Sequence, residues 1–119
     1  MARTVRIRNR SRNTVVCERC RVADNFVSRG VGLMLTPSLS PGSGLLLTHT
    51  NAITMLFMRY AIDVAFLDAG GVVLSLTPRL GAWVPVRVTL GARDTLELPV
   101  GALEASGTQV GDELLIEEA

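Results

Sequence analysis

Arg59 and Asp63 are set into an otherwise apolar run, Met58-Arg59-Tyr60-Ala61-Ile62-Asp63-Val64-Ala65-Phe66-Leu67, which closes on Asp68-Ala69-Gly70-Gly71. Four apart on a strand, the two would project from one face. Ala61 between them and Ala65 beyond would leave a shallow polar notch. A guanidinium in such a notch could hold an anionic group, such as a carboxylate, in its bidentate fork. The structural alternative is that each residue fixes a loop or satisfies buried backbone groups, the commoner fate of a polar residue in apolar surroundings. Four residues of strand span about 13 Å, so the pair need not touch. We favour the structural alternative.

His49 is the only histidine and is flanked by Thr48, Thr50 and Asn51. As a base it would need a nucleophile brought in by the fold, with Ser43, Thr50, Cys17 and Cys20 as candidates. No nucleophile elbow or other catalytic signature is present, so a loop histidine bonded to its neighbours is the simpler expectation. Cys17-Glu18-Arg19-Cys20 is a lone CxxC, which could be a thiol redox pair or half of a zinc site. It has no second half, and an odd spacing on a strand puts the two thiols on opposite faces, roughly 10 Å apart, beyond the ~7 Å that a disulfide tolerates between Cα atoms. Only a bulge or turn would rescue it. Met34, Met55 and Met58 read as core filling rather than a soft-metal box. The glycines form no phosphate loop, since the chain has no lysine to complete one. No cofactor is expected.

The elements that must position these residues are mostly short strands. Residues 4–12 alternate, with Val5 and Ile7 on one side and Arg6, Arg8, Arg10 and Arg12 on the other, which is a half-buried strand with a basic outer face. Residues 14–22 return as its hairpin partner. Asp24 is the expected N-cap of a short helix reaching about Met34, with Phe26, Val27, Val31 and Met34 on one face. A Pro/Gly/Ser-rich loop over 36–44 leads to a short strand at Leu45-Leu46-Leu47. The Gly70-Gly71 turn joins the apolar run to a strand over 72–76. Residues 86–90 and 95–98 are expected to pair across Gly91–Asp94. A short helix within 99–106 stops at Gly107, and a last strand covers 113–117. Its acids could pair with the basic first strand.

Many short strands with turn signals every eight to twelve residues give a mainly β fold, a β-sandwich or partly open β-barrel, with two short decorating helices. The length of 119 residues suits a single domain over 1–119. All twelve basic residues are arginine and the net charge is +1, so no global field recruits nucleic acid or acidic membranes. The arginine-rich start also lacks the interleaved aromatics of a nucleic-acid surface. No run is apolar enough to cross a bilayer and no signal peptide is evident. The cytoplasm is the expected compartment, which two cysteines fit.

Four segments in order, Ser28-Arg29-Gly30-Val31-Gly32-Leu33-Met34, residues 57–68, Leu96-Glu97-Leu98-Pro99-Val100-Gly101 and Val110-Gly111-Asp112, resemble the domain of unknown function 192 family, DUF192. The resemblance spans about 14–116 and implies a small β-rich domain with no established reaction. The chain departs from the family pattern at Ala61, where a proline is usual, and at Thr54-Met55, where many relatives carry histidine–threonine; His49 lies five residues too early to replace it. The expectation is a non-catalytic domain that binds a small ligand or a protein partner at a rim of Arg29, His49, Asn51, Arg59 and Asp63. Its exposed edge strands could also support a homodimer. The alternatives are an enzyme with Asp63 or His49 as base and Arg59 as anion clamp, or a thiol or metal site at Cys17 and Cys20.

Overall fold

The structure is a computed structural model that describes residues 3–34 and 36–118, less the side chains of Phe26, Val27 and Val31. Among the described residues, nine strands and two helices follow in the order β1 Thr4–Asn9, β2 Thr14–Ala23, α1 Phe26–Val31, β3 Ser43–Leu47, β4 Ala52–Ile53, β5 Ile62–Leu67, β6 Val73–Leu80, β7 Arg87–Val88, β8 Asp94–Leu98, α2 Ala102–Ser106 and β9 Leu114–Glu118. Seven strands form one sheet in the order β6-β5-β8-β3-β2-β1-β9, and β4 pairs with β7 in a small ribbon. All pairs are antiparallel except β2–β3, which α1 connects as a crossover. The sheet curls until its edges meet at one end, where Val72 bridges Glu113 and Val73 N–H donates to the Asp112 carbonyl. The fold is thus mainly β, a curled half-barrel with two short helices.

The charge pattern explains the closing pair. β9 lies antiparallel to β1, and Arg6 donates to Glu117 at 2.9 Å while Arg10 and Arg12 reach Glu113 and Asp112 at 3.3 and 2.9 Å. The expected match of acidic last strand to basic first strand is therefore present. Exposed pairs of this kind contribute little each, and the anchor is the buried Asn9, whose side-chain amide donates to Thr108 and Asp112. The Arg12 guanidinium, with Asn9 and the Gln109 N–H, holds the Asp112 carboxyl down to about 2.

Two apolar clusters lie on opposite faces of the sheet. One fills the inside of the curl, with Val5, Ile7, Cys17, Leu46, Leu96 and Leu98, and α2 adds Leu103. The other packs Leu45, Leu47, Ile62, Val64 and Phe66 under Leu33, Ile53, Met55, Met58 and Leu80. The central strands are consequently buried on both faces; every residue of β5 is buried.

Several local expectations change. α1 is capped by Asn25, not Asp24, through a reciprocal capping box with Ser28. The expected apolar face of this helix at Phe26, Val27 and Val31 lies outside the described side chains. Residues 86–90 do not pair with 95–98: β7 pairs with β4, and β8 is inserted between β3 and β5. The strand bearing Asp63 begins only at Ile62, so Arg59 lies outside it. Cys17 and Cys20 do not face opposite ways. In the β1–β2 pairing Val5 is opposite Cys20 and Ile7 opposite Cys17, so β2 carries one extra residue between the cysteines. This bulge re-aims one of them, and both are buried in the inner cluster.

Candidate functional site

Of the five residues expected to share a rim, Arg29, His49, Asn51 and Asp63 are each held by partners of their own. Asp63 is buried, and its carboxylate accepts three backbone N–H groups: Arg79 at 3.0 Å, Gly101 at 3.0 Å and Leu103 at 3.2 Å. Arg79 is free of the ladder because β6 bulges there, with Leu80 opposite Ile62 and Thr77 opposite Val64. Gly101 is the N-cap of α2 and has no side chain to cap it. Asp63 supplies that cap from a neighbouring strand, placing its charge at the helix N-terminus. Its lone pairs are committed to the fold.

Arg59 sits in an exposed bend. His49 occupies an exposed turn at φ 50; its N–H donates to Asp94 Oδ1 at 3.1 Å, and its ring Nε2 lies 3.2 Å from Arg93 Nη2. The Asn51 carbonyl accepts from Thr89 N–H. Arg29 donates through Nη1 to the Thr48 carbonyl at 3.1 Å, tying α1 to the same turn. The two cysteine thiols lie in one cluster, Cys17 Sγ donating to the Gly42 carbonyl at 3.5 Å and Cys20 Sγ to the Arg21 carbonyl at 3.7 Å. Hydrogen bonding from Cys20 holds the Cys17 thiol below its usual range against the desolvation that opposes it, and pushes Cys20 up. Among the described residues no group of three or more His, Cys, Asp and Glu could hold a metal, so the pair lacks the partners of a zinc centre.

The concave space with a buried carboxyl lies elsewhere. A cavity of about 190 Å³ lies between the end of α1, the end of β3, β4 and the following segment. Leu33, Leu47, Ile53 and Met58 make its apolar walls, Arg29 stands at it, and Glu97 of β8 lines it. His49, Asn51, Arg59 and Asp63 are not among its lining residues. Glu97 is 4% exposed. Along β8, Leu96 and Leu98 turn into the inner cluster, so Glu97 must turn to the other face. There it stands beside Leu45 of β3 and Val64 of β5. Its Oε1 is buried and has no hydrogen-bond partner among the described residues. Burial alone pushes the carboxyl up to about 7. Gly32, at φ 52, closes α1 over it. A side chain at residue 32 would begin 3.7 Å from Glu97 Oε1 and 3.9 Å from the Arg29 carbonyl oxygen.

Glu97 escapes a strand-by-strand inspection because Thr95-Leu96-Glu97-Leu98 alternates like a half-exposed strand. The signal that could have found it lies in the neighbours. Leu45-Leu46-Leu47 and the run from Ile62 to Leu67 are apolar on both faces, and a strand between two such strands is covered on both sides.

The DUF192 family, described as an uncharacterized ACR, matches residues 5–116. A UPF0127 protein of Thermococcus sibiricus is 36% identical over 110 residues, covering 89% of this chain and 71% of its own length. Two solved structures share the fold. A protein of Sinorhizobium meliloti, named as a candidate transcription regulator, superposes with a TM-score of 0.84 at 19% identity, over 98% of this chain and 94% of that one. A protein of unknown function from Novosphingobium aromaticivorans gives 0.81 at 18% identity, over 96% and 84%. At these identities the likeness is one of architecture.

Two outcomes separate the structural carboxylate from the cavity carboxylate. Asp63→Ala orphans three buried backbone donors and should destabilise by about 3–5 kcal/mol in urea unfolding, whereas Arg59→Ala should stay within about 0.5 kcal/mol. A small loss at Asp63 would mean that those donors find other partners. For Glu97, the folded value near 7 exceeds the unfolded 4.5, so the native state binds the extra proton. The Glu97 contribution is therefore most favourable below pH 4.5, fades as pH rises to 7 and is flat above. Glu97→Gln should gain on wild type across that window, by up to about 3 kcal/mol above pH 7 at ~1.4 kcal/mol per pH unit. Parallel stability–pH curves for the two proteins would show that Glu97 is not desolvated.

Proposed function

The chain belongs to the DUF192 family, and from that premise we propose that it is a non-catalytic binding domain for a small ligand, held in the cavity between α1 and β8. One observation carries this reading: a buried carboxylate oxygen without a partner lines a concave, mostly apolar space. Native proteins pair such groups almost without exception, and an unpaired one costs about 1–3 kcal/mol. A ligand that supplies the missing partner converts that cost into affinity. Apolar walls with a few convergent polar groups are the usual build of a small-molecule site. The size is appropriate, since a dry cavity of about 150 Å³ takes up benzene. A catalytic reading lacks support of this kind, because the Asp63 lone pairs are committed and neither His49 nor Arg59 lines the cavity. We place this binding role in the cytoplasm and in a single folded unit.

Thermal unfolding against a panel of small amines, alcohols, carboxylates and phosphates tests the reading, with wild type beside Ala52→Phe, which fills the cavity from β4. A panel member at 100-fold its Kd should stabilise wild type by about 2.7 kcal/mol and leave the variant unmoved. A panel with no effect on wild type would remove the proposal.

A second reading rests on a separate observation. Phe57 and Trp83 are 52% and 56% exposed, and their rings pack on each other with centroids 5.2 Å apart. Both residues hold positive φ, at 64° and 70°, a costly backbone for aromatic residues. Val86 and Leu90 are exposed as well. Exposed apolar surface held at a conformational cost supports a protein-docking face, a second copy of the chain included. Light scattering of wild type should then show concentration-dependent association that Trp83→Ser abolishes; a wild type that stays monomeric to millimolar concentration would remove self-association.

A further inference from the structure

Resting on the small-ligand reading above, we infer that the cavity takes a compact apolar primary amine, its ammonium seated in the recess beneath Gly32 between Glu97 Oε1 and the main-chain oxygen of Arg29. Two acceptors meet at the inner end of the cavity. Glu97 Oε1 and the Arg29 carbonyl both face the space that residue 32 leaves by having no side chain. The Gly32 N–H is spent on the Ser28 carbonyl, and Arg29 Nη1 donates to the Thr48 carbonyl. An ammonium brings three donors and a compensating charge, so it satisfies the orphaned oxygen and removes the penalty of an unpaired buried carboxylate together. An alcohol brings one donor and no charge. A carboxylate or phosphate would be repelled. A divalent ion would need further ligands, which the described residues do not gather.

The remainder of the ligand must be apolar and small. Leu33, Leu47, Ile53 and Met58 line the rest of a space of about 190 Å³, enough for a branched body of five or six heavy atoms on the benzene scale. Among the described residues, the only other charged group at the cavity is Arg29. The sheet neighbours of Glu97, Leu45 and Val64, carry no titratable group. Binding therefore follows the ionisation of one carboxyl, which burial holds near 7. Affinity for the amine should fall about tenfold per pH unit below 7 and level off above it, until the amine itself loses its proton near 10.

Isothermal titration at pH 8 with isopentylamine, isopentanol and isovalerate decides the matter, since the three share a body and differ in the head. Wild type should bind the amine at least tenfold more tightly than the alcohol and not bind the acid. Glu97→Gln should bring amine and alcohol within threefold of each other, and Ala52→Phe should abolish binding of both. If the alcohol binds as tightly as the amine and Ala52→Phe removes both, the cavity is a ligand site and the amine assignment is wrong. If none of the three binds while another panel member is taken up and lost in Ala52→Phe, the amine assignment again falls alone; if nothing binds, both readings fall. Should Glu97→Gln not fold, the wild-type pH profile decides: amine affinity unchanged from pH 5 to pH 8 overturns the assignment.

Discussion

Strand β8 lies between β3 and β5 with apolar chain above and below it, and this double burial governs the rest of the molecule. A sheet of short strands with two apolar faces can bury one face only by curling on itself. The other face then needs a cover. The curl supplies the inner cluster, and Leu33 at the end of α1, Leu39 and the segment from Ile53 to Met58 supply the cover. A cover built from a short helix, turns and a two-residue strand packs less completely than a strand or long helix would. The cavity lies beneath it for that reason, and Glu97 turns into the same layer by strand alternation.

Electrostatics acts at the margins of this arrangement. The arginines of β1 meet the acids of β9 and its approach, so the edge strand that completes the curl is chosen by charge as well as by pattern. Solvent screens most of these pairs, and their value lies in register and specificity more than in stability. The buried Asn9–Asp112 contact is different, because both groups are withdrawn from water and each satisfies the other. It fixes the turn that leads into β9. Arg6, Arg10 and Arg12 thus find acidic partners within the fold.

Legibility in the sequence followed the range of the interactions. The β1–β2 hairpin, the Asp68–Gly71 turn and the Gly107 stop of α2 depend on neighbours a few residues apart, and period and turn chemistry reveal them. The match of acidic to basic strand was also readable, because complementary charge carries over long separations. The partner of residues 95–98 was not, since insertion between β3 and β5 depends on competition among strands far apart in the chain. The cysteine spacing failed for a local reason: one bulge residue reverses an alternation argument, and nothing in Cys17-Glu18-Arg19-Cys20 announces a bulge. Arg59 and Asp63 drew attention because they interrupt an apolar run, and the structural alternative holds for Asp63. Glu97 drew none, because it stands where alternation tolerates a polar residue.

Asp63 and Glu97 together show what separates a polar residue that builds a fold from one available to a ligand. Both are buried carboxylates on central strands. A buried charge is tolerable when hydrogen bonds replace its lost hydration, and three backbone donors do this for Asp63. Those donors are loose ends that the fold had to place somewhere, from a bulge in β6 and from the start of α2. Near Glu97 the loose ends are of the wrong kind. The end of a helix presents carbonyls, not N–H groups, so α1 closes over Glu97 with acceptors facing an acceptor. A capping donor cannot come from Gly32, whose N–H is already used within the helix turn. The deficit is therefore a consequence of which end of α1 meets the sheet. Relieving it from within the fold would take a donor side chain, and Gly32 has none.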